Sequence, residues 1–245
     1  MESIKGKWAL VTGASRGIGA LVADKLADYG CNLVLHSRSI AHLDKIAEKA
    51  KQKGVKVMTV AANLEDENEV RAMLKKIDDE GLNIEYVLNN AGIQVTYRSE
   101  IFDTPAVDFV DSLKVNVIAP MIICYHYLPR MMKAGYGRIV NTTSGIDKEP
   151  QQAAYSASKA GLDKVTKDLG TLVEGTNVMI NLIDPGWCRT DLGGPKAPNA
   201  PESAVTGAVL GVFLSDKKSG RIISAQDFAY MSVEDAVRKF EVLSN

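Results

Sequence analysis

One stretch of the chain, TGASRGIG (Thr12–Gly19), joins a short apolar strand pattern to a helical pattern. Glycines at such a junction permit a tight turn, let the backbone approach a pyrophosphate, and allow close packing of helix on strand. The N-terminus of the following helix offers free N–H groups and partial positive charge to a phosphate. The stretch therefore predicts a dinucleotide site, with contacts from Gly13, Ser15, Arg16, Gly17, Ile18 and Gly19. The alternative is a simple glycine-rich turn.

Outward from this stretch, short β-branched runs alternate with longer amphipathic segments. The predicted strands are Trp8–Thr12, Asn32–His36, Val55–Ala61, Ile84–Asn89, Gly137–Thr142, Asn177–Ile183 and Gly220–Ser224. The predicted helices are Ile18–Tyr29, Ile40–Lys53, Glu67–Glu80, Pro105–Ala134 and Ala154–Val173, with a C-terminal helix over Ser232–Leu243. This alternation predicts an α/β fold, a Rossmann-type doubly wound parallel sheet with helices on both faces. Ligands of such sheets bind beyond the carboxyl ends of the strands.

The length of 245 residues fits one domain over residues 1–245, and no repeat or linker divides it. A net charge of −1 gives no general attraction to nucleic acid or to an anionic membrane. No run is apolar enough for a membrane span and no signal peptide is evident, which predicts a cytoplasmic protein. Three scattered cysteines and three scattered histidines argue against disulfides and against a metal site.

The second predicted strand ends in Ser37 and Arg38, where an NAD-preferring site would carry an acidic residue for the ribose 2′-hydroxyl. Arg38 and Arg16 could instead converge on a 2′-phosphate, which guanidinium groups bind well. We therefore expect NADP(H) to be preferred over NAD(H). The alternative is that both arginines are ordinary surface residues.

Of the eight tyrosines, only Tyr155 is followed by a lysine four residues later, Lys159. This spacing places the two side chains one turn apart on the same face of a helix. A free phenol has a pKa near 10, and a nearby ammonium should pull that pKa toward neutrality, as a general acid–base requires. The pair therefore predicts proton transfer, although such a pair also arises by chance.

Ser144 follows a predicted strand, so its hydroxyl could donate to a substrate carbonyl oxygen rather than merely cap a turn. Thr143 is the rival hydroxyl. Asn90, Ala91 and Gly92 end another strand, where asparagine can tie loops together and small residues leave room for a flat ring. Asn116 lies within an apolar helical stretch and needs partners, either as a satisfied core residue or as the anchor of an active-site water.

Six motifs, in order along the chain, resemble those of the short-chain dehydrogenase/reductase family in its compact single-domain form. They are TGASRGIG (Thr12–Gly19), NNAG (Asn89–Gly92), Asn116 in KVNV, Ser144 in TTSG, YSASK (Tyr155–Lys159) and DPGWCRT (Asp184–Thr190). The resemblance implies hydride transfer between NADP(H) and a carbonyl or alcohol substrate. It implies that Tyr155 donates the proton, that Lys159 lowers its pKa and holds the nicotinamide ribose, and that Asn116 anchors a relay water. It also implies that Pro185, Gly186 and Thr190 line the nicotinamide, and that the family's adenine contact falls on Asn63 and Leu64, where an aspartate is usual.

Three functions remain open from the sequence. The stretch after Thr190 is shorter than in ketoacyl-carrier-protein reductases, and its C-terminal part resembles carbonyl-reductase-type members, so a carbonyl reductase leads. A 3-oxoacyl thioester (acyl-carrier-protein) reductase and a non-catalytic NADP-binding sensor or scaffold are the alternatives. The expected substrate wall consists of Gln94, Val95, Ser144, Ile146, Gln151 and Trp187. The expected assembly is a homodimer or homotetramer, although the C-terminal helix puts the usual tetramer interface in doubt.

Overall fold

The computed structural model describes residues 1–243, in which seven parallel strands form one sheet. The strands are β1 (Trp8–Val11), β2 (Asn32–Ser37), β3 (Val57–Ala61), β4 (Ile84–Asn89), β5 (Gly137–Thr142), β6 (Val178–Asp184) and β7 (Ile222–Ser224). Their order is β3-β2-β1-β4-β5-β6-β7, so the direction of winding reverses between β1 and β4. A crevice at the carboxyl ends of these two strands is where such sheets bind ligands.

Eight α-helices cover the sheet in the described part of the chain. They are α1 (Gly17–Asp28), α2 (Asp44–Gln52), α3 (Glu67–Asp79), α4 (Ala106–Leu113), α5 (Ala119–Ala134), α6 (Ala153–Thr171), α7 (Val205–Phe213) and α8 (Val233–Leu243). Residues of α1, α2, α7 and α8 pack on one face of the sheet, and residues of α3, α5 and α6 pack on the other. Both faces are therefore buried, which explains why β2 is buried at every position. The predicted fold class is confirmed.

The helical stretch predicted over Pro105–Ala134 is present from Ala106 onward, but it is not α-helical throughout. The chain forms α4, then a π-helical segment over Lys114–Ile118, and then α5. Asn116 lies within this segment, and its side-chain amide bonds to the backbone of Ile93 and to the hydroxyl of Ser158. A π segment admits an extra residue into a helix and is frequent at functional sites. The contacts of Asn116 thus coincide with the local change of winding.

Helix α7 was not predicted. Its sequence, VTGAVLGVF, is buried at every position, and it has no polar face to produce an amphipathic period. Gly207 lies against Ala225, and Gly211 lies against Val140 of β5, so the small residues allow close packing. Elsewhere, predicted and observed element ends agree to within two residues, except that α2 begins at Asp44, after a 3₁₀ turn over Ile40–Leu43, rather than at Ile40. The C-terminal helix is present as α8, and its Val233, Ala236 and Val237 are buried.

None of the helices among residues 1–243 combines the length and the hydropathy that crossing a membrane requires. Within the same residues, no cluster of three histidine, cysteine or acidic side chains is arranged to hold a metal ion.

Candidate active site

The glycine loop between β1 and α1 packs against the end of β4. Gly13 has a φ of +66°, and a Cβ added there would lie 2.9 Å from Cα of Ala91. The N–H of Ala91 donates to the Thr12 hydroxyl at 3.0 Å, and the Asn90 side chain donates to the Thr12 carbonyl at 3.1 Å. These contacts join the two loops on either side of the switch point.

The start of α1 requires glycine at two positions, at Gly19 for lack of space and at Gly17 because of its positive φ. A Cβ at Gly19 would lie 2.2 Å from the carbonyl oxygen of Gly13. Gly17 has a φ of +55° and lies beside Thr190, so the loop after β6 contacts the helix start. The first N–H groups of a helix have no partner within it and attract anions. The loop thus has the form of a pyrophosphate cradle.

His36 is a buried member of this loop that the sequence did not indicate. The N–H of Gly13 donates to His36 Nδ1 at 3.3 Å, and Nε2 lies 3.1 Å from the carbonyl of Ala62. This pairing requires the neutral tautomer protonated on Nε2, and burial lowers the pKa of the imidazole accordingly. His36 therefore links the glycine loop to the residue after β3.

The arginines proposed for a 2′-phosphate both lie at the surface. Arg38 is exposed immediately after β2, whereas Arg16 forms an ion pair with Asp191 at 2.9 Å, with both side chains about two-thirds exposed. Ser37 is buried, and its hydroxyl donates to the carbonyl of Ser39 at 2.6 Å. The Ser37 hydroxyl is therefore engaged in a turn that presents Arg38 outward.

The proposed adenine contacts differ from each other. The side-chain oxygen of Asn63 accepts from the N–H of Glu65 at 3.2 Å, so it shapes the turn before α3. The side chain of Leu64 is 7% exposed and belongs to the core. Only the backbone of Leu64 and the side-chain NH₂ group of Asn63 are left to face a nucleotide.

Tyr155 and Lys159 lie at the start of α6, facing the end of β5. Lys159 Nζ donates to the carbonyl of Thr142 at 2.7 Å and lies 5.7 Å from the centre of the Tyr155 ring. Ser144 is two residues beyond β5, and its hydroxyl accepts from the N–H of Ile146 at 3.2 Å and lies near enough to Tyr155 to lower the pKa of the phenol. Gly92 lies beside Lys159, and a Cβ added at Gly92 would be 3.5 Å from Lys159 Nζ. The structure brings the serine, tyrosine and lysine together beside the end of β4.

The expected lowering of the Tyr155 pKa by Lys159 is wrong for the protein without cofactor. Burial raises the pKa of Tyr155 above its ordinary value, the Ser144 hydrogen bond opposes this, and Asp184 adds to it. Burial also lowers the pKa of Lys159 to about 8, against the attraction of Asp163 and Asp184. The ammonium donates to a backbone carbonyl rather than to the phenol, and Lys159 is not among the groups that shift the Tyr155 pKa.

The structure decides two questions that the sequence left open: which hydroxyl faces Tyr155, and what the side chain of Asn116 does. Thr143 is buried and donates its hydroxyl to Asp163, so Ser144 is the residue that faces Tyr155. The Asn116 side chain is fully buried and has protein partners for both its oxygen and its nitrogen. Its side chain is therefore a satisfied core group, and any water held at this position would have to use the backbone.

The residues predicted for a substrate wall lie on loops after β4 and before α6, with Trp187 in the loop after β6. Gln94 is exposed, and Val95, Ile146 and Gln151 are half-buried. The N–H of Arg98 donates to the carbonyl of Gln151 at 3.2 Å, which joins the segment after β4 to the segment before α6. The assignment of these residues to a substrate wall stays a prediction.

The loop after β6 is braced by its own side chains. Trp187 is 58% exposed, and its indole donates to the carbonyl of Gly193 at 2.7 Å. Arg189 donates to the carbonyls of Ala197 and Pro198, and the Asn199 side chain donates to the carbonyl of Trp187. Pro185, Gly186 and Thr190 lie at its base. The exposed Trp187 ring is therefore held in a fixed position by its own loop.

The site and fold together describe a class of nicotinamide-dinucleotide oxidoreductases, and comparison with known proteins agrees. The family model described as short chain dehydrogenase matches residues 7–200. The chain is 35% identical over 193 residues to the 3-oxoacyl-[acyl-carrier-protein] reductase FabG of Aquifex aeolicus (strain VF5), over 77% of each protein. It is 30% identical over 237 residues to nodulation protein G of Rhizobium sp. (strain N33), over 95% of each.

Solved structures show the same fold. A metagenomic short-chain oxidoreductase in complex with NADP superposes with a TM-score of 0.77 at 26% identity, over 91% of this chain and 99% of that one. The angucycline C-6 ketoreductase LanV with bound NADP gives a TM-score of 0.76 at 25% identity, over 91% and 95%. The chain belongs to the short-chain dehydrogenase/reductase family. It is an oxidoreductase that binds NAD(P), and the resemblance seen in its motifs is confirmed.

Proposed function

We propose that this protein transfers a hydride between NADP(H) and the carbonyl or alcohol carbon of a small to medium-sized substrate. The observation that carries the proposal is the meeting of Ser144, Tyr155 and Lys159 at the end of β5, beside the glycine loop. A phenol and a serine hydroxyl that lie near each other can both donate to one substrate oxygen. A sensor or scaffold would have no use for that arrangement.

The residues present fit a nicotinamide dinucleotide. The cradle of Gly13, Gly17 and Gly19 would hold the pyrophosphate, and Gly92 leaves open the space beside Lys159. The cofactor, when bound, supplies or accepts the hydride at the nicotinamide ring. Tyr155 would give its proton to the substrate oxygen in reduction, and Ser144 would orient that oxygen. Lys159 would hold the ribose and stabilise the phenolate that results.

A preference for NADP(H) rests on the two arginines and on the absence of an acidic residue at the end of β2. Arg38 is free to turn toward a ribose 2′-phosphate, and Arg16 could exchange Asp191 for the same phosphate. Exchange of one exposed ion pair for another costs little, because such pairs are weak. The solved neighbours with bound NADP support this proposal.

Replacing Arg38 by alanine is expected to weaken NADPH binding by about tenfold to a hundredfold, the effect of one charge-assisted hydrogen bond of ~1.5–3 kcal/mol. NADH binding should change by less than about twofold, because a bare hydroxyl gains little from a guanidinium. Fluorescence titration with both cofactors measures the two Kd values. Arg71→Ala, which removes a surface arginine of α3, is the matched control. Equal weakening of NADPH and NADH would refute the phosphate assignment.

The substrate class is proposed to be simple ketones, aldehydes and diketones. Support comes from the character of the predicted wall, which combines half-buried Val95, Ile146 and Gln151 with an exposed Trp187. The relatives named as 3-oxoacyl-[acyl-carrier-protein] reductases favour reduction of 3-oxoacyl thioesters as a second candidate.

A carbonyl panel, with NADPH oxidation followed by absorbance, tests both candidates. A kcat/KM for diketones and aldehydes well above that for acetoacetyl thioesters is expected. The reverse order would establish the second candidate. Tight NADPH binding without turnover of any carbonyl would favour the sensor and contradict both.

A second copy of this chain is the proposed protein partner. The α4–α5 side of the molecule exposes a stripe of apolar residues, Val107, Val110, Ile118, Tyr125 and Met132, each at least 47% exposed. Identical patches can pair about a two-fold axis. Light scattering over a range of concentrations measures the mass. A monomer at all concentrations would contradict the proposal.

The cytoplasmic location expected from the sequence stays a prediction.

A further inference from the structure

Three successive residues at the end of β5 contact three residues of α6 that are spaced by one helical turn. The carbonyl of Thr142 accepts from Lys159 and Thr143 donates its hydroxyl to the carboxylate of Asp163, while Ser144 lies near enough to Tyr155 to lower its pKa. Side chains four residues apart share one helix face, so Tyr155, Lys159 and Asp163 form a row. The proposed chemistry uses the first two members of the row and leaves the third unexplained.

The Thr143–Asp163 contact is well placed to influence the site. Thr143 is 2% exposed and lies between the residue that holds Lys159 and the residue that faces the substrate. Its hydroxyl anchors the chain directly before Ser144, and a displaced Ser144 would no longer share a substrate oxygen with Tyr155. Because small misplacements of reacting groups are costly, this hydrogen bond has a positioning role.

Lys159 has two carboxylates near its ammonium, Asp163 on α6 and Asp184 at the end of β6, and both favour its charged form against burial. Asp184 is engaged elsewhere as well. It accepts from the N–H of Gly186 at 2.9 Å and lies against Gly145, where a Cβ would be 2.6 Å away. Asp163 is thus the carboxylate on the same helix as Lys159, and it raises the pKa of Lys159 more than Asp184 does.

We propose that Asp163 is a positioning residue of the active site. It holds the Thr142–Ser144 segment through Thr143, and its negative charge keeps Lys159 in the ammonium form. The proposal rests on the proposed function, because it assigns to Lys159 a charge that the proton transfer needs. It adds a fifth member to the set of Asn116, Ser144, Tyr155 and Lys159.

The Asp163→Asn variant separates charge from hydrogen bonding, since asparagine keeps an oxygen for Thr143. Loss of the negative charge should lower the Lys159 pKa from about 8 by about half to one pH unit. NMR of isotope-labelled lysine in the cofactor-free protein measures this directly, with the signal assigned by Lys159→Arg. With rising pH, the ammonium is then lost earlier, so the alkaline fall of kcat in carbonyl reduction should move to lower pH.

Three further variants complete the test. Asp163→Glu restores the charge and should restore the Lys159 titration. Asp168→Asn, an exposed position of α6 paired with Lys164, is the matched control and should leave it unchanged. Thr143→Val should keep the titration while lowering kcat by about tenfold to a hundredfold at every pH, through displacement of Ser144.

A Lys159 titration in Asp163→Asn equal to that of the unchanged protein would overturn the charge role. A normal kcat in Thr143→Val would overturn the positioning role. The NMR measurement needs no turnover, so it tests the effect of Asp163 on Lys159 independently of the reaction. Failure to reduce any carbonyl would refute the proposed function but would leave this measurement valid.

Discussion

The Tyr155→Phe variant is expected to lose kcat by about 10²–10⁴-fold while keeping its affinity for NADPH. Phenylalanine retains the ring that packs at the start of α6 and removes only the hydroxyl that lies near Ser144. Without the phenol, the substrate oxygen loses its proton donor, whereas the glycine loop that would bind the pyrophosphate is untouched. Steady-state rates and fluorescence titration with NADPH measure the two effects separately.

The matched control is Tyr230→Phe, at a tyrosine that is 73% exposed and distant in sequence from the row on α6. It should show normal rates. A Tyr155→Phe enzyme with nearly normal kcat would remove this residue as the proton donor.

The protonation state of the Tyr155 phenol also bears on the direction of the reaction. Because burial raises its pKa, the hydroxyl stays protonated at neutral pH in the free protein, which suits donation in the direction of carbonyl reduction.

The Gly19→Ala variant is expected to have the second-largest effect, on both stability and cofactor binding. The added methyl group would lie 2.2 Å from the carbonyl oxygen of Gly13 and 2.4 Å from the side-chain nitrogen of Asn90. Neither can give way easily, since one is backbone and the other holds the Thr12 carbonyl. Such overpacking costs about 1–3 kcal/mol of folding free energy. Displacement of the loop from α1 should weaken NADPH binding by about tenfold or more.

Urea unfolding and NADPH titration measure these effects. Gly161→Ala in α6 is the matched control, because its Cβ would meet only Val117 at 3.7 Å, an ordinary contact. Alanine is favoured over glycine within a helix by about 1 kcal/mol, so this variant should be as stable as the unchanged protein or more so. A Gly19→Ala protein that unfolds and binds NADPH normally would contradict the cradle described here.

Local sequence patterns were sufficient for the architecture and for much of the site. Apolar β-branched runs alternating with amphipathic segments require a parallel sheet covered on both faces, because only that arrangement buries every run. Glycines between β1 and α1, and a lysine four residues after Tyr155, are local signals whose consequences depend only on backbone geometry. Family membership followed from such motifs.

Other features depended on groups that are far apart in the chain. Helix α7 carries no amphipathic period because it is buried all round, and the π segment forms where Asn116 meets Ile93 and Ser158. The bond of His36 to Gly13 required β2 to pack beside β1.

The titration of Tyr155 and Lys159 was likewise decided by tertiary structure. Spacing put their side chains on one face of α6, but burial against β5 raised one pKa and lowered the other. Thr143 met Asp163 for the same reason, since only the docking of α6 on β5 brings these two residues together. Sequence determined which groups are present and how they are spaced along each element. Desolvation and long-range charge depend on what packs around a group, so they follow only from the folded chain.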